Sequence, residues 1–189
     1  MLEYTSRIQG GNICMVLCCL TYLVWWAIAF HPMKAFPKTP KFLLFFVTLI
    51  LGMTGLYLLI SGIIGIPIEK KGISNITIAI LGCISYGCML FFTSHFLHRQ
   101  VTSELLLIMI WTVLELWLWN SLYRGEVLGI TLSLVYAVVI VFAAMISLAC
   151  YLQYYKLEPI KAFYDGMIPL VLFGAVMIVQ TIIIRANVT

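Results

Sequence analysis

The sequence predicts an all-α, polytopic membrane protein: a compact bundle of six transmembrane helices with short loops, forming a single domain over residues 1–189. Three observations carry that expectation. Hydrophobic residues make up 63% of the chain and charged residues 10%, with a mean hydropathy of +1.11, where a soluble domain has about 45–50% and about 25%. The charges fall in short clusters between long apolar runs, the distribution that results when charge is confined to the two membrane surfaces. Six of the runs reach the ~20 residues needed to cross a ~30 Å hydrocarbon core.

The spans are expected at 12–32, 42–66, 74–97, 102–122, 127–155 and 165–186. The first follows Arg7 and contains Ala27-Ile-Ala29, which mimics a signal-peptide cleavage site; it is read as a retained span. In the second, "LILGMTGLYLLISGIIGIP", Gly55 and Gly62 lie two turns apart, so a neighbouring backbone can approach closely where lipid removes the hydrophobic drive for association. That face is a candidate contact for a partner membrane subunit or a second copy of the chain. Gly82, Ser85 and Gly87 mark the third span as another close-packed helix. Trp25 and Trp26 close the first span, and Trp117 and Trp119 the fourth, where an aromatic belt at the interface is expected. Asp165 is expected to open the sixth span, and Pro169 falls in its first turn, where the missing N–H costs little.

The connections "MKAFPKTPK" (33–41), "PIEKKGI" (67–73), "HRQV" (98–101), "YRGE" (123–126) and "KLEPIKAFY" (156–164) are short, which makes sequential helices antiparallel neighbours. An even number of spans puts both termini on one side. That side carries Arg7, Lys70, Lys71, Arg124 and Arg185; the other carries Lys34, Lys38, Lys41, Arg99, Lys156 and Lys161, so the positive-inside comparison nearly balances. All three histidines fall on the second side, which favours it as cytoplasmic and the termini as non-cytoplasmic. The sequons at Asn75 and Asn187 sit on the terminal side, close to spans.

The net charge of +4 reports loops facing anionic headgroups, so the expected partner is the lipid bilayer and not nucleic acid. The six cysteines (Cys14, Cys18, Cys19, Cys83, Cys88 and Cys150) lie inside apolar runs with no CxxC spacing and are expected to act as small hydrophobes. No phosphate-cradling glycine loop or GxSxG elbow occurs, and the loops are too short for a soluble active site.

Glu115 stands in the middle of "TSELLLIMIWTVLELWLWNSL". Taking Glu104 as origin, Trp111 falls at about −20° and Glu115 at about +20° around the helix, with Glu115 about 16 Å deeper. An ionised acid facing lipid at that depth costs several kcal/mol even on the mildest scale (about 2.5–3.5), so the stripe is expected to face the interior. Glu104 follows Thr102 and Ser103 in the first turn, where a carboxylate favours the helix dipole. Glu115 has no terminus to serve. It is either a neutral acid hydrogen-bonded to another helix, since burial disfavours the charged form, or a functional group. Tyr57, Tyr136, Ser133, Gln180, Thr181, Thr21 and Tyr22 share its depth, but no Lys or Arg does, which leaves hydroxyls, an amide, water, a proton or a cationic ligand as its companions.

A second cluster lies at the other interface: His31, and His95 with His98 one turn on, together with Glu104 and Asp165. Histidines at that spacing share a face and can hold a metal with a third ligand, although HxxH without an acidic context is common by chance.

Three readings follow. In the first, a small-solute transporter or its substrate-binding subunit has a midplane pocket in which Glu115 binds a cation or exchanges a proton. There Trp111 walls the pocket, Tyr57, Tyr136 and Gln180 orient the ligand, and Glu104 marks the way in. The second is a non-catalytic accessory subunit using the Gly55 and Gly62 face. In the third, an intramembrane lipid-active metalloenzyme uses His31, His95 and His98.

Overall fold

The computed structural model describes residues 2–33, 37–96, 103–154 and 156–188. Every regular element among them is a helix: α1 (Leu2–Ala29), α2 (Lys38–Ile64), α3 (Asn75–His95), α4 (Ser103–Arg124), α5 (Ile130–Tyr154), the short α6 (Pro159–Asp165) and α7 (Ile168–Val188). Among the described residues six segments are long and apolar enough to cross a membrane, α6 and α7 together making the last. Large apolar side chains are displayed outward, among them Phe42, Ile76 and Phe142, as expected where lipid is the solvent. The protein is an integral, multi-pass membrane protein.

The chain divides into two compact units. The first unit contains α1, α2, α6 and α7; the second spans Pro67–Tyr151 and holds α3, α4 and most of α5.

In the first unit, α1 packs against α2 and α7. It begins at Leu2, ahead of the expected start at residue 12. The early residues are not apolar enough to read as a span, but Tyr4, Ile8 and Gly11 recur at helical spacing and are buried, and Glu3 pairs with Arg7 across one turn at 2.7 Å. Packing therefore extends the helix beyond its apolar run.

The contact between α1 and α2 is backbone on backbone. A methyl added at Gly11 would lie 2.9 Å from the Leu59 amide nitrogen and 3.1 Å from the Gly55 carbonyl oxygen; one at Gly62 would lie 3.2 Å from both the Ile8 nitrogen and the Tyr4 oxygen. The Gly55 and Gly62 face, expected to meet a partner subunit or a second copy, is thus filled by α1 of the same chain. That corrects the expectation: the small residues serve the close approach of two helices within one protomer.

At the other end of α1, Trp26 is 5% exposed, packs on Gly166 and donates its indole N–H to the Phe163 carbonyl at 3.1 Å. It is a packing residue and not a member of an interfacial belt. Gly174 of α7 meets Cys19 of α1. Pro159 occupies the first turn of α6, and the helix stops at Asp165 with Gly166 as its cap. Asp165 therefore ends a short helix instead of opening the last span.

In the second unit, α3 rests on α4, with Gly82 against Val113. Ser74 caps α3 by accepting from the Ile76 amide at 3.3 Å, and Asn120 of α4 donates to the Ile73 carbonyl and to Asn75 Oδ1, both at 2.9 Å. Helix α5 buries Ile140, Ala143, Ala144, Ser147, Cys150 and Tyr151, one stripe at helical spacing. The Ser147 hydroxyl donates to the Ala143 carbonyl of its own helix at 2.8 Å, which makes it tolerable inside. None of the six cysteines is in a disulfide.

Candidate functional site

Helix α4 is apolar along almost its whole length, and which of its faces turns inward is decided by burial. The inward side carries Leu105, Ile108, Trp111, Leu114, Glu115, Leu118, Trp119 and Leu122. Trp111, Glu115 and Trp119 follow one another at single-turn steps, so the acid sits between two indoles on one stripe. Glu115 is 1% exposed and Trp119 likewise, with Trp111 also buried. Glu115 stands about 16 Å along the axis from Glu104 and about 13 Å from Arg124, the last residue of the helix, which puts it at mid-span. Glu104 is half-buried near the start of the same helix.

Tyr136 of α5 belongs to this neighbourhood. It is buried, and its ring lies on that of Trp119 with centroids 4.0 Å apart and planes 24° from parallel. Two aromatic rings so held fix the indole that borders the acid. Trp111, Glu115, Trp119 and Tyr136 thus form one buried group inside the second unit, an acid with aromatic walls.

Two further residues expected at the site, Tyr57 and Gln180, belong to the first unit. Tyr57 is 70% exposed on α2 and takes no part in the interior of its unit. Gln180 on α7 is fully buried in the first unit, and neither its amide nitrogen nor its oxygen has a hydrogen-bond partner among the described residues.

Asn12 on α1 is a residue the sequence reading passed over. It too is fully buried in the first unit, with both amide atoms unpartnered among the described residues. The antiparallel register of α1 and α7 is set by Cys19 on Gly174 and Trp26 on Gly166, and continuing it by two turns brings Asn12 level with Gln180. A sequence signal existed: Asn12, Cys19 and Trp26 recur every seventh residue, and a carboxamide on a stripe that otherwise packs inward is a polar group needing a partner.

Two of the three histidines expected to hold a metal fall within the described residues. Nδ1 of His31 accepts the Met33 amide N–H at 3.1 Å, and its ring lies beside Phe163. His95 is exposed and stacks on Phe91 of its own helix, with ring centroids 5.2 Å apart. His98 lies outside the described residues. Among the described residues no group of three or more His, Cys, Asp and Glu is placed to hold a metal ion.

A surface depression of about 260 Å³ at one end of the first unit is lined by Glu3, Tyr4, Arg7, Ser61 and Gly65. It contains none of the expected site residues, and the two charges in it pair with each other.

No family model, curated protein or solved structure matches this chain.

Proposed function

We propose that the protein is a small-solute membrane transporter, or the substrate-binding membrane subunit of one, in which Glu115 binds a cation or exchanges a proton. The observation that supports this reading is a carboxyl group 1% exposed at the middle of an apolar helix. A chain that needed only an apolar core would fill this position with leucine, as at Leu114 and Leu118 beside it. Keeping an acid here costs a few kcal/mol if it ionises toward lipid (about 2.5–3.5 on the mildest scale). In an apolar surround, a carboxyl group is favoured either neutral, holding a proton, or ionised beside a cation that takes the place of the proton released to water. That exchange is the elementary step of proton-coupled or cation-selective transport.

In this reading Trp111 and Trp119 wall the acid one turn to either side, and Tyr136 holds the Trp119 ring in place. Indole faces suit a cation, which they attract through the ring quadrupole by about 0.5–2 kcal/mol. Glu104 lies near the start of the same stripe and marks the end of the helix from which a cation would approach. Tyr57, turned outward, has no role.

The test is exchange in proteoliposomes loaded with a pH-sensitive dye and challenged with a panel of inorganic and small organic ammonium cations. Wild-type protein is expected to change the internal pH with at least one of them, and Glu115→Gln to abolish the signal. The same exchange in Glu115→Gln, or none from wild type across the panel, overturns the proposal.

A further inference from the structure

The end of α4 holds a second charged group, unconnected with Glu115. There the 67–73 segment folds back on the helix terminus: the backbone N–H groups of Glu69 and Lys70 both donate to the Arg124 carbonyl, at 3.0 and 2.9 Å. Asn120 ties down Ile73 and Asn75, as described above. The loop also presses on the Arg124 side chain. A methyl at Gly72 would lie 3.0 Å from Cγ and 3.3 Å from Cδ, so glycine is what lets the chain pass over the arginine stem. Beside it Lys70 pairs with Glu126 at 3.2 Å, each half-exposed, and its Nζ lies 5.9 Å from the centre of the Tyr123 ring.

That pairing leaves the local charge uneven. Lys70 and Glu126 answer each other. No carboxylate among the described residues forms an ion pair with Arg124, and Arg124 Nε is buried with no acceptor among them. Lys71, next in the loop, is exposed, as is Glu69, the remaining acid nearby. A guanidinium whose stem is pinned presents its fork in one orientation, the geometry that suits the paired oxygens of a phosphate. Arg124 is also the last residue of an apolar spanning helix, the level at which lipid headgroups lie.

We propose that Arg124 and Lys71, held at the end of α4 by the 67–73 loop, bind the phosphate of an anionic phospholipid headgroup. The bilayer supplies that phosphate at the right depth, and the uncompensated positive charge selects headgroups with net negative charge over zwitterionic ones.

The experiment is thermal unfolding of the purified full chain in neutral detergent with added dioleoyl phosphatidylglycerol, dioleoyl phosphatidylcholine or inorganic phosphate. Phosphatidylglycerol is expected to raise Tm by a few degrees more than phosphatidylcholine, in the manner of any ligand that binds only the folded state. Arg124→Gln is expected to remove most of that difference. Lys71→Gln, an exposed change that leaves the fold alone, is expected to remove part of it, and Arg185→Gln at another helix end none. Equal effects of the two lipids on wild type overturn the proposal. So does a full phosphatidylglycerol increment in Arg124→Gln or, should that variant not fold, in Lys71→Gln. Stabilisation by inorganic phosphate equal to that by phosphatidylglycerol would make the ligand a free anion and overturn the lipid assignment.

Discussion

Trp119 of α4 and Tyr136 of α5 lie ring upon ring, centroids 4.0 Å apart, one turn along α4 from the buried carboxyl group of Glu115. The stack joins two helices of the second unit and positions the indole that borders the acid. Truncation of Trp119 to alanine should cost about 3–5 kcal/mol, the range for emptying a buried aromatic site. Trp119→Phe keeps a ring on Tyr136 and should cost visibly less. Thermal unfolding in detergent ranks the two, and equal losses would show that a ring kept on Tyr136 contributes nothing.

The approach of α1 to α2 yields a paired prediction. Gly11→Ala places its methyl 2.9 Å from a backbone nitrogen, which no side-chain rotation relieves, so the helices must separate at a cost of about 1–3 kcal/mol or more. Gly87→Ala in α3 meets nothing within 4 Å and should be neutral or stabilising by up to about 1 kcal/mol, since alanine is the better helix former. The two Tm shifts should have opposite signs or differ by several degrees. A Gly11→Ala protein as stable as wild type would contradict the packing described for the first unit.

Trp26 makes the one indole hydrogen bond described between α1 and the chain leading into α7, to the Phe163 carbonyl. Trp26→Phe removes that bond and should cost about 1–3 kcal/mol, the price of a carbonyl left unsatisfied where water is scarce, plus some packing. Adding Gly166→Ala, whose methyl would collide with the Trp26 ring in wild type, should do less harm in Trp26→Leu than alone. Additive losses in that double-mutant cycle would show that the two residues do not touch.

Gln180 and Asn12 bury carboxamides with no hydrogen-bond partner among the described residues. Gln180→Met keeps the length of the side chain and removes both polar atoms, so folded-state stability should hold or rise, by up to about 1–3 kcal/mol. A drop in Tm of many degrees would mean that the amide is satisfied in the membrane by a partner outside the described residues.

How much was legible in the sequence can be followed residue by residue. Six spans and their approximate limits are written in apolar length, because lipid leaves a crossing segment no other composition. The inward turn of Trp111 and Glu115 on one stripe of α4 was expected from the cost of exposing an acid to lipid. The outward turn of Tyr57 was not legible in its depth, because depth alone says nothing of direction and α2 is apolar all round. The glycines did hold the answer. Gly55 and Gly62 mark the inward face, and Tyr57, about 200° around from Gly55, must point away. The start of α1 was missed because the Tyr4, Ile8 and Gly11 stripe is a packing signal in a segment too polar to register as a span. Trp26 and Trp119 were taken for belt residues because an indole near a helix end fits an interface equally well; the carbonyl of Phe163 and the ring of Tyr136 that claim them are distant in sequence.

As proposed above, Glu115 serves an accessible cation or proton site and is not a sealed structural acid. Labelling with a membrane-permeant carbodiimide, which adds to protonated carboxyl groups, tests this most directly when adducts are located by peptide mass mapping. Modification of Glu115 is expected in the folded protein, slowed by a molar excess of whichever cation drives exchange, with no such adduct in Glu115→Gln. A Glu115 that stays unmodified in the folded protein and reacts only once the protein is unfolded would contradict that role.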